Sequence, residues 1–390
     1  MTRFRPVYCG LWSVVALVVA LACGALEAVS AQDAHFFYPP PTPGNMTITK
    51  DIAFASGDTG KLRMDVYRPA GEALPALIFF NGTGLPRSAE VYAGWGRIAA
   101  YRGLVAIIPD LRPDSAVQDF QKLVAYLTAH AADYKIDRAA MALYAASANV
   151  STAFPIVEDP HQTAIAAAVM YYGTAAITQF RRDLPMLYVR AGLDRPSVNG
   201  AGPGSIVALA ALAVSQNAPL TLVNDAGGHH AFEVTDDDGA TRQVIDETIQ
   251  WVKGAVSHPY LDAVRHGAPE AEVAAQVASG DAKAAVPGYA KLVNDHPDDA
   301  RLRLSYAEAL LGDKQYEAAC AQFERLKGKG LGPRDVGLPA ARACMQNGDA
   351  ELALAWLRTI PRQFLPADLQ QDPMFESLRM RAEFRALFQQ

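Results

Sequence analysis

Between Thr47 and Ser257 the sequence alternates between two kinds of segment, and this alternation limits the possible fold more than any other feature. Short apolar runs have the length and composition of buried strands, and amphipathic stretches of helix length separate them. Because parallel strands need a crossover between them, the pattern predicts an α/β fold: a mainly parallel sheet with helices on both faces. The predicted strands are ALIFF (76–80), LVAII (104–108), AMALYA (140–145), AIAAAVMYY (164–172), PMLYVRA (185–191) and PLTLVND (219–225), after a leading antiparallel pair, MTITKDIAFA and KLRMDVYRP.

From His258 onwards the strand pattern stops and a helical repeat begins. Three sets of positions recur every 34 residues, and each set keeps its character from one repeat to the next. These positions are Ala285, Ala319 and Ala353, then Tyr289, Phe323 and Leu357, then Leu292, Leu326 and Ile360. The period resembles that of tetratricopeptide repeats, in which a small residue stands where paired helices approach closely. We therefore predict a C-terminal all-α helical-repeat domain, whose concave surface suits a protein or peptide partner.

The first 31 residues have the layout of a secretory signal peptide. Arg3 and Arg5 precede an apolar run of 16 residues, LWSVVALVVALACGAL, and small residues follow up to Ala31. This run is shorter than the roughly 20 residues that span a bilayer. We predict cleavage after Ala31 and an exported, periplasmic or secreted, protein with no stable membrane span after cleavage. The alternatives are a membrane anchor and a lipoprotein attached through Cys23.

These observations divide the chain into a signal peptide (1–31), an α/β domain (32–257) and the helical repeats (258–390). The net charge of −6 provides no basic surface, so nucleic acid is not an expected partner. Two cysteines remain after cleavage, Cys320 and Cys344. We expect both to be buried free thiols, with a single disulfide as the alternative.

A serine stands at the junction of a predicted strand and a predicted helix, in the stretch LYAASANVS (143–151). The region from Thr47 to Ser257 resembles the α/β-hydrolase superfamily, most closely its dienelactone hydrolase and acetyl-esterase-like members. In that fold the nucleophile stands on a sharp turn between a strand and a helix. The segments that carry the resemblance are KLRMDVYRP, ALIFFNGTG, LVAIIPDLR, YKIDRAAMALYAASAN, LYVRAGLDRP and NDAGGHHAFEV, in this order.

The resemblance implies a catalytic triad of Ser147, Asp194 and His230, in the superfamily's chain order. His230 would take the proton of the serine, and Asp194 would orient the imidazole. His230 is preferred because it lies two places before an aromatic residue, Phe232, and the adjacent His229 is the fallback base. The implied oxyanion donors are the backbone N–H groups of Ala148 and of Thr83 in the NGTG turn.

Two residues depart from the usual nucleophile motif, G-x-S-x-G. Ala145 and Asn149 stand where the two glycines are expected. The alanine adds one methyl group, whereas Asn149 must either point away or widen the gap between helix and strand. Three hypotheses therefore remain open: an exported serine hydrolase that cleaves a small acyl or ester substrate, a catalytically silent scaffold whose repeats bind a protein or peptide, and a serine peptidase of the prolyl oligopeptidase type.

None of these hypotheses requires a metal or an organic cofactor. The pair His229 and His230 lacks a third ligand at a local spacing that would suit zinc. The acidic run TDDDG (235–239) lacks the glutamate and the spacing of a calcium loop, and it predicts a helix cap instead. The NGTG turn (81–84) has neither the lysine nor the length of a phosphate-binding loop.

Overall fold

The computed structural model describes residues 36–38, 46–57 and 60–389, so the predicted signal peptide lies outside the described residues. Eight strands form one sheet in the order β1-β2-β4-β3-β5-β6-β7-β8. Strands β1 and β2 pair with antiparallel neighbours, and the pairs from β4 through β8 are parallel. The strands are β1 Met46–Gly57, β2 Gly60–Pro69, β3 Leu74–Phe80, β4 Val105–Pro109, β5 Ile136–Ala146, β6 Ala167–Tyr171, β7 Met186–Ala191 and β8 Leu220–Asp225. The predicted strands and the leading antiparallel pair are confirmed.

Helices follow the strands and cover both faces of the sheet. In this region they are α1 Glu90–Tyr101, α2 Ala116–His130, α3 Ala148–Glu158, α4 Pro196–Asn199, α5 Ile206–Ser215, α6 Phe232–Thr235 and α7 Gly239–Ala255. The buried residues of α1 and α7 pack on one face, and those of α2, α3 and α5 pack on the other. The predicted fold class, an α/β-hydrolase sheet with helices on both faces, is confirmed.

The central strand β3 shows why the strand sequences are unbroken apolar runs. Leu77 and Phe79 pack on the face of α1 and α7, whereas Ile78 and Phe80 pack on the opposite face. All four side chains are buried. Since successive side chains point to opposite faces and both faces are covered, no position of the strand can be polar without losing solvation.

The C-terminal region is built from helices, as predicted. They are α8 His258–Ala278, α9 Ala282–Asp295, α10 Ala300–Gly312, α11 Tyr316–Glu324, α12 Pro333–Gln346, α13 Ala350–Thr359 and α14 Ala382–Ala386. The three alanines of the 34-residue period, Ala285, Ala319 and Ala353, lie in α9, α11 and α13 and are completely buried. Small residues at these positions let neighbouring helices pack closely. None of the described helices has both the length and the apolar character needed to cross a membrane.

The first turn of α8 contacts the sheet region. Leu261 is buried in the core on the face of α1 and α7. His258 Nε2 lies 2.8 Å from Asp137 Oδ2, at the start of β5. The continuous run from α7 into α8 therefore joins the helical region to the sheet region through both apolar and polar contacts.

The two remaining cysteines form a disulfide, and the expectation of free thiols was wrong. Cys320 in α11 and Cys344 in α12 are both buried, with their Cα atoms 4.9 Å apart. This separation lies within the range that a disulfide requires. The sequence could not reveal it, because the pairing depends on how α11 and α12 pack rather than on the spacing of 24 residues.

Candidate active site

Ser147 stands in a sharp turn between β5 and α3. Its backbone has φ +55° and ψ −128°, a conformation that residues other than glycine rarely adopt. The room for this turn comes from Gly173, just beyond β6: a Cβ there would lie 2.5 Å from the carbonyl oxygen of Ser147 and 2.3 Å from Val150 Cβ. The glycine that makes room for the turn thus lies just after the neighbouring strand, β6. Ala145, which stands where the motif has its first glycine, is fully buried.

The structure brings together the three side chains of the predicted triad. His230 Nε2 lies 2.7 Å from Ser147 Oγ, and His230 Nδ1 lies 2.6 Å from Asp194 Oδ2. Because an ionised carboxylate only accepts hydrogen bonds, Nδ1–H donates to Asp194 and Nε2 accepts from the serine hydroxyl. The Asp194 side chain is almost completely buried, whereas the imidazole is 28% exposed. An arrangement of a hydroxyl, an imidazole and a carboxylate of this kind can supply a nucleophile, a base and a group that orients the base.

Backbone contacts between two loops hold Asp194 and His230 side by side. The Gly192 N–H, after β7, donates to the Asp225 carbonyl at 2.6 Å, and the Leu193 N–H donates to the Gly228 carbonyl at 2.9 Å. A Cβ on Gly192 would lie 2.4 Å from the Ala226 carbonyl oxygen. The loops after β7 and β8 can approach this closely because position 192 is glycine.

The structure places the fallback base, His229, against Asp236 rather than against Ser147. Its backbone N–H and its Nδ1 both contact the Asp236 carboxylate, at 2.7 and 3.1 Å. Its side chain is 59% exposed. Ala231, directly after His230, is in the αL conformation with φ +61°.

Asn149 contacts the predicted oxyanion loop rather than pointing away from it. Its Oδ1 accepts from the Thr83 N–H at 2.8 Å and from Thr83 Oγ1 at 3.0 Å, and its Nδ2 donates to the Thr83 carbonyl at 3.1 Å. The Thr83 N–H is therefore occupied. The expectation that it donates directly to an oxyanion does not fit this geometry, because its hydrogen already points at Asn149.

Two other N–H groups near the serine are available. Within the described residues, neither the Ala148 N–H at the start of α3 nor the Gly84 N–H forms a hydrogen bond with the protein. Both residues line the cavity in front of Ser147. Ala148 was predicted as a donor from the sequence; Gly84 was missed, although it is the last residue of the glycine-containing NGTG turn.

A cavity of about 280 Å³ opens in front of Ser147 and His230. Three of its lining residues have positive φ without being glycine: Ser147, Tyr172 and Ala231. Such backbone strain concentrates where a structure must hold a side chain in a special position. The Tyr172 ring and the His230 imidazole pack at a steep angle to each other, with ring centroids 4.9 Å apart.

A buried carboxyl group that the sequence reasoning missed also lines this cavity. Glu233 is 2% exposed, and its Oε1 accepts hydrogen bonds from Tyr172 Oη at 2.6 Å and Tyr144 Oη at 3.1 Å. Burial raises the pKa of this carboxyl above its ordinary value. The available signal was its place in the sequence: an acidic residue directly after Phe232, on the first turn following the predicted base.

The acidic run after Glu233 caps a helix, as predicted. Asp238 is the N-cap of α7, and its Oδ1 accepts from the Thr241 N–H at 2.8 Å. Among residues 36–38, 46–57 and 60–389, no group of three or more His, Cys, Asp or Glu side chains is placed to hold a metal ion.

Comparison with known proteins yields similarity at the level of structure alone. No protein-family model matches the sequence, and no curated protein is significantly similar to it in sequence. Brefeldin A esterase, described as a bacterial homologue of human hormone-sensitive lipase, is 13% identical with a TM-score of 0.46; the alignment covers 56% of this chain and 79% of the esterase.

Two further solved structures are similar to a comparable extent. Esterase Est22 is 13% identical with a TM-score of 0.45, over 54% of this chain and 82% of Est22. Thermogutta terrifontis esterase 2, phosphoramylated by tabun, is 18% identical with a TM-score of 0.43, over 55% of this chain and 96% of that esterase. The assignment to the α/β-hydrolase fold rests on the strand order and helix placement of this chain itself.

Proposed function

We propose that this protein is a serine hydrolase that cleaves an ester or a related acyl bond. The observation that carries the proposal is the continuous chain of hydrogen bonds from Asp194 through His230 to the Ser147 hydroxyl, at 2.6 and 2.7 Å. A serine in a strained turn, beside a base with a buried carboxylate behind it, is suited to nucleophilic attack on a carbonyl.

The reaction would proceed in two halves. Ser147 Oγ attacks the carbonyl carbon while His230 Nε2 accepts the hydroxyl proton, and the tetrahedral intermediate then releases the alcohol as His230 returns the proton to it. Water, deprotonated by the same imidazole, hydrolyses the acyl-enzyme and releases the acid. Asp194 stays ionised throughout, holds the Nδ1–H tautomer and stabilises the imidazolium.

The oxyanion of the tetrahedral intermediate would be bound by the N–H groups of Ala148 and Gly84. Support for this assignment comes from their position on the cavity and from the absence of hydrogen bonds to them within the described part of the chain. Ala148 begins helix α3, whose N-terminus favours negative charge. Asn149 would act indirectly, because its three contacts with Thr83 hold the loop that carries Gly84.

Labelling with a fluorophosphonate and hydrolysis of p-nitrophenyl acetate test the proposal. The full chain is expected to be labelled at Ser147, and Ser147→Ala is expected to lose labelling and about 10⁴-fold or more in kcat/KM. Ser151→Ala is the matched control, because Ser151 lies one turn further along α3 and its Oγ bonds only to the Ala148 carbonyl. Folded protein without labelling or ester cleavage would favour the silent scaffold.

The finer assignments remain part of the proposal. A dienelactone hydrolase or acetyl-esterase-like specificity is supported by the sequence segments quoted above, and a tetratricopeptide-like repeat with a protein or peptide partner is supported by the buried 34-residue period. Export is supported by the Cys320–Cys344 disulfide, which suits an oxidising compartment. N-terminal sequencing of the mature protein is expected to begin at Gln32.

A further inference from the structure

The Glu233 carboxyl lies inside the candidate site, and the proposed mechanism does not use it. It shares the cavity with Ser147 and His230. Its Oε1 is held by two phenol groups, those of Tyr144 and Tyr172, whereas its Oε2 is buried and forms no hydrogen bond of normal geometry with any described residue. One oxygen is thus fixed by two hydrogen bonds, whereas the other has none, although the Trp95 indole, whose Nε1 is likewise buried without a hydrogen bond, interacts with the carboxyl.

The groups that face this carboxyl carry no positive charge. Its own backbone and the side chains of Tyr172, Tyr144 and Trp95 interact with it, and the pKa of nearby Tyr92 is raised first by burial and then by the charge of the carboxylate. No salt bridge to it is found within the described residues. A buried carboxylate without a cation is unfavourable, and a positive charge on a molecule bound in the cavity would stabilise its ionised form.

The aromatic and apolar walls of the cavity also suit an organic cation. Four aromatic side chains line it, and most of the remaining wall is apolar. The aromatic residues are Tyr92, Trp95, Tyr144 and Tyr172. Aromatic rings attract alkylated ammonium groups through their quadrupole, and a carboxylate among them adds direct charge complementarity. The volume of about 280 Å³ accommodates a compact group only.

We propose that the cavity selects esters in which the part entering the cavity bears a compact organic cation, such as an alkylated ammonium, and that Glu233 is the residue that recognises this charge. Tyr144 and Tyr172 hold the carboxyl in the wall of the cavity, from where its charge would act on the cation, and the aromatic walls would contact the alkyl groups. This inference rests on the proposed function, because it names the substrate class of the same site.

Competition by a simple cation tests the proposal. Tetramethylammonium is expected to inhibit hydrolysis of p-nitrophenyl acetate competitively, and at least tenfold more strongly than the neutral 2,2-dimethylpropan-1-ol. In Glu233→Gln, which keeps an acceptor for both tyrosines, inhibition by tetramethylammonium is expected to weaken at least tenfold, while inhibition by the alcohol changes less than twofold. Glu158→Gln, which changes a partly buried glutamate outside the cavity, should leave both inhibition constants unchanged.

Direct binding separates this inference from the proposed function. Tetramethylammonium is titrated into the full chain by calorimetry, which needs no ester cleavage. Binding that weakens at least tenfold in Glu233→Gln supports the cation site even if Ser147 proves unreactive toward fluorophosphonate. An active enzyme that tetramethylammonium neither binds nor inhibits overturns the inference, and so does a Glu233→Gln variant in which cation and alcohol are weakened equally.

Discussion

The sheet region and the helical region use the backbone in different ways. In the sheet region, three residues with positive φ that are not glycine, Ser147, Tyr172 and Ala231, line the cavity. Among the described residues after α7, Lys314 is the one non-glycine residue with positive φ, and it lies in a turn between helices. Of the six described non-glycine residues with positive φ before α8, three thus line the cavity, whereas the helical region has one such residue.

Packing differs between the two regions as well. The site in the sheet region joins side chains that are 83 and 36 residues apart in sequence. The helical region instead buries equivalent residues in successive helices, and the disulfide spans a separation of 24 residues. In the sheet region, contacts between distant segments position the side chains of the site. In the helical region, stability comes mainly from contacts between neighbouring helices. We therefore expect substitutions in the two regions to have separable effects on activity and stability.

The largest expected effect is on activity, in the sheet region. Asp194→Asn should lower kcat for ester hydrolysis about 10⁴-fold, because an amide no longer holds the Nδ1–H tautomer of His230 or stabilises its cation. The melting temperature should change little. The measurement is hydrolysis of p-nitrophenyl acetate at saturating substrate, together with thermal unfolding.

Asp225→Asn is the matched control for that substitution. Asp225 is a second buried aspartate, at the end of β8, and burial raises the pKa of its side chain. Its side chain does not line the cavity. We expect kcat within about threefold of wild type. Equal losses in the two variants would mean that the loops after β7 and β8 act through general packing and would remove the special role of Asp194.

The opposite effect is expected in the helical core. Phe323→Ala in α11 removes a completely buried ring at a position of the 34-residue period, and it should lower the free energy of unfolding by about 3–5 kcal/mol. Hydrogen exchange should rise in the neighbouring helices while kcat/KM stays within twofold of wild type. Phe364→Ala, at a phenylalanine that is 45% exposed, should have little effect on either quantity. Lost activity in Phe323→Ala would show that the two regions are coupled.

The sequence predicted the fold well because the fold depends on repeated local patterns. Runs such as ALIFF and LVAII correspond to β3 and β4 within about two residues at each end. Alternation of strands and helices leaves few topologies, and the 34-residue period identified the buried faces of α9, α11 and α13. Each of these patterns can be recognised within a short segment, because burial of a strand or of a helix face requires apolar residues at regular positions.

The details of the site could not be predicted in the same way, because they depend on contacts between distant segments. The hydrogen bonds between Thr83 and Asn149 join residues 66 apart, and they change which N–H groups remain available. Gly173 makes room for the turn at Ser147 from another strand. Glu233 receives its phenol partners from β5 and from just beyond β6. Spacing along the chain contains no information on any of these contacts.

The disulfide gives a smaller effect that sharpens the comparison. Replacing both Cys320 and Cys344 by alanine should lower the free energy of unfolding by about 2–4 kcal/mol, since the crosslink restricts the unfolded chain. Ester hydrolysis under native conditions should remain within twofold of wild type. Urea unfolding with and without reductant measures the effect: reductant should destabilise the wild type to the level of the double variant and leave that variant unchanged. A wild type insensitive to reductant would contradict the prediction.

The smallest expected effect depends on pH and concerns Glu158, at the end of α3. Burial raises the pKa of this carboxyl to about 7, although one oxygen accepts a hydrogen bond from the Arg181 N–H and the Arg181 guanidinium lies nearby. Asp183 adds a smaller repulsion. The other oxygen, Oε1, is buried without a hydrogen-bond partner. The folded protein therefore favours the protonated acid, whereas the unfolded chain ionises at the ordinary value of 4.5.

Stability should therefore fall as the pH rises between about 4.5 and 7, and the loss should stay constant above pH 7. Below pH 4.5 the group is protonated in both states and has no effect. Glu158→Gln removes the titration, so at pH 8 the variant should be more stable than wild type by about 1–3 kcal/mol, while at pH 4.5 the two should agree. Urea unfolding at the two pH values measures this, with the exposed Glu247→Gln as the control. A stability difference that is the same at both pH values would contradict this prediction, because it would mean that the amide changes packing rather than the cost of burying a charge.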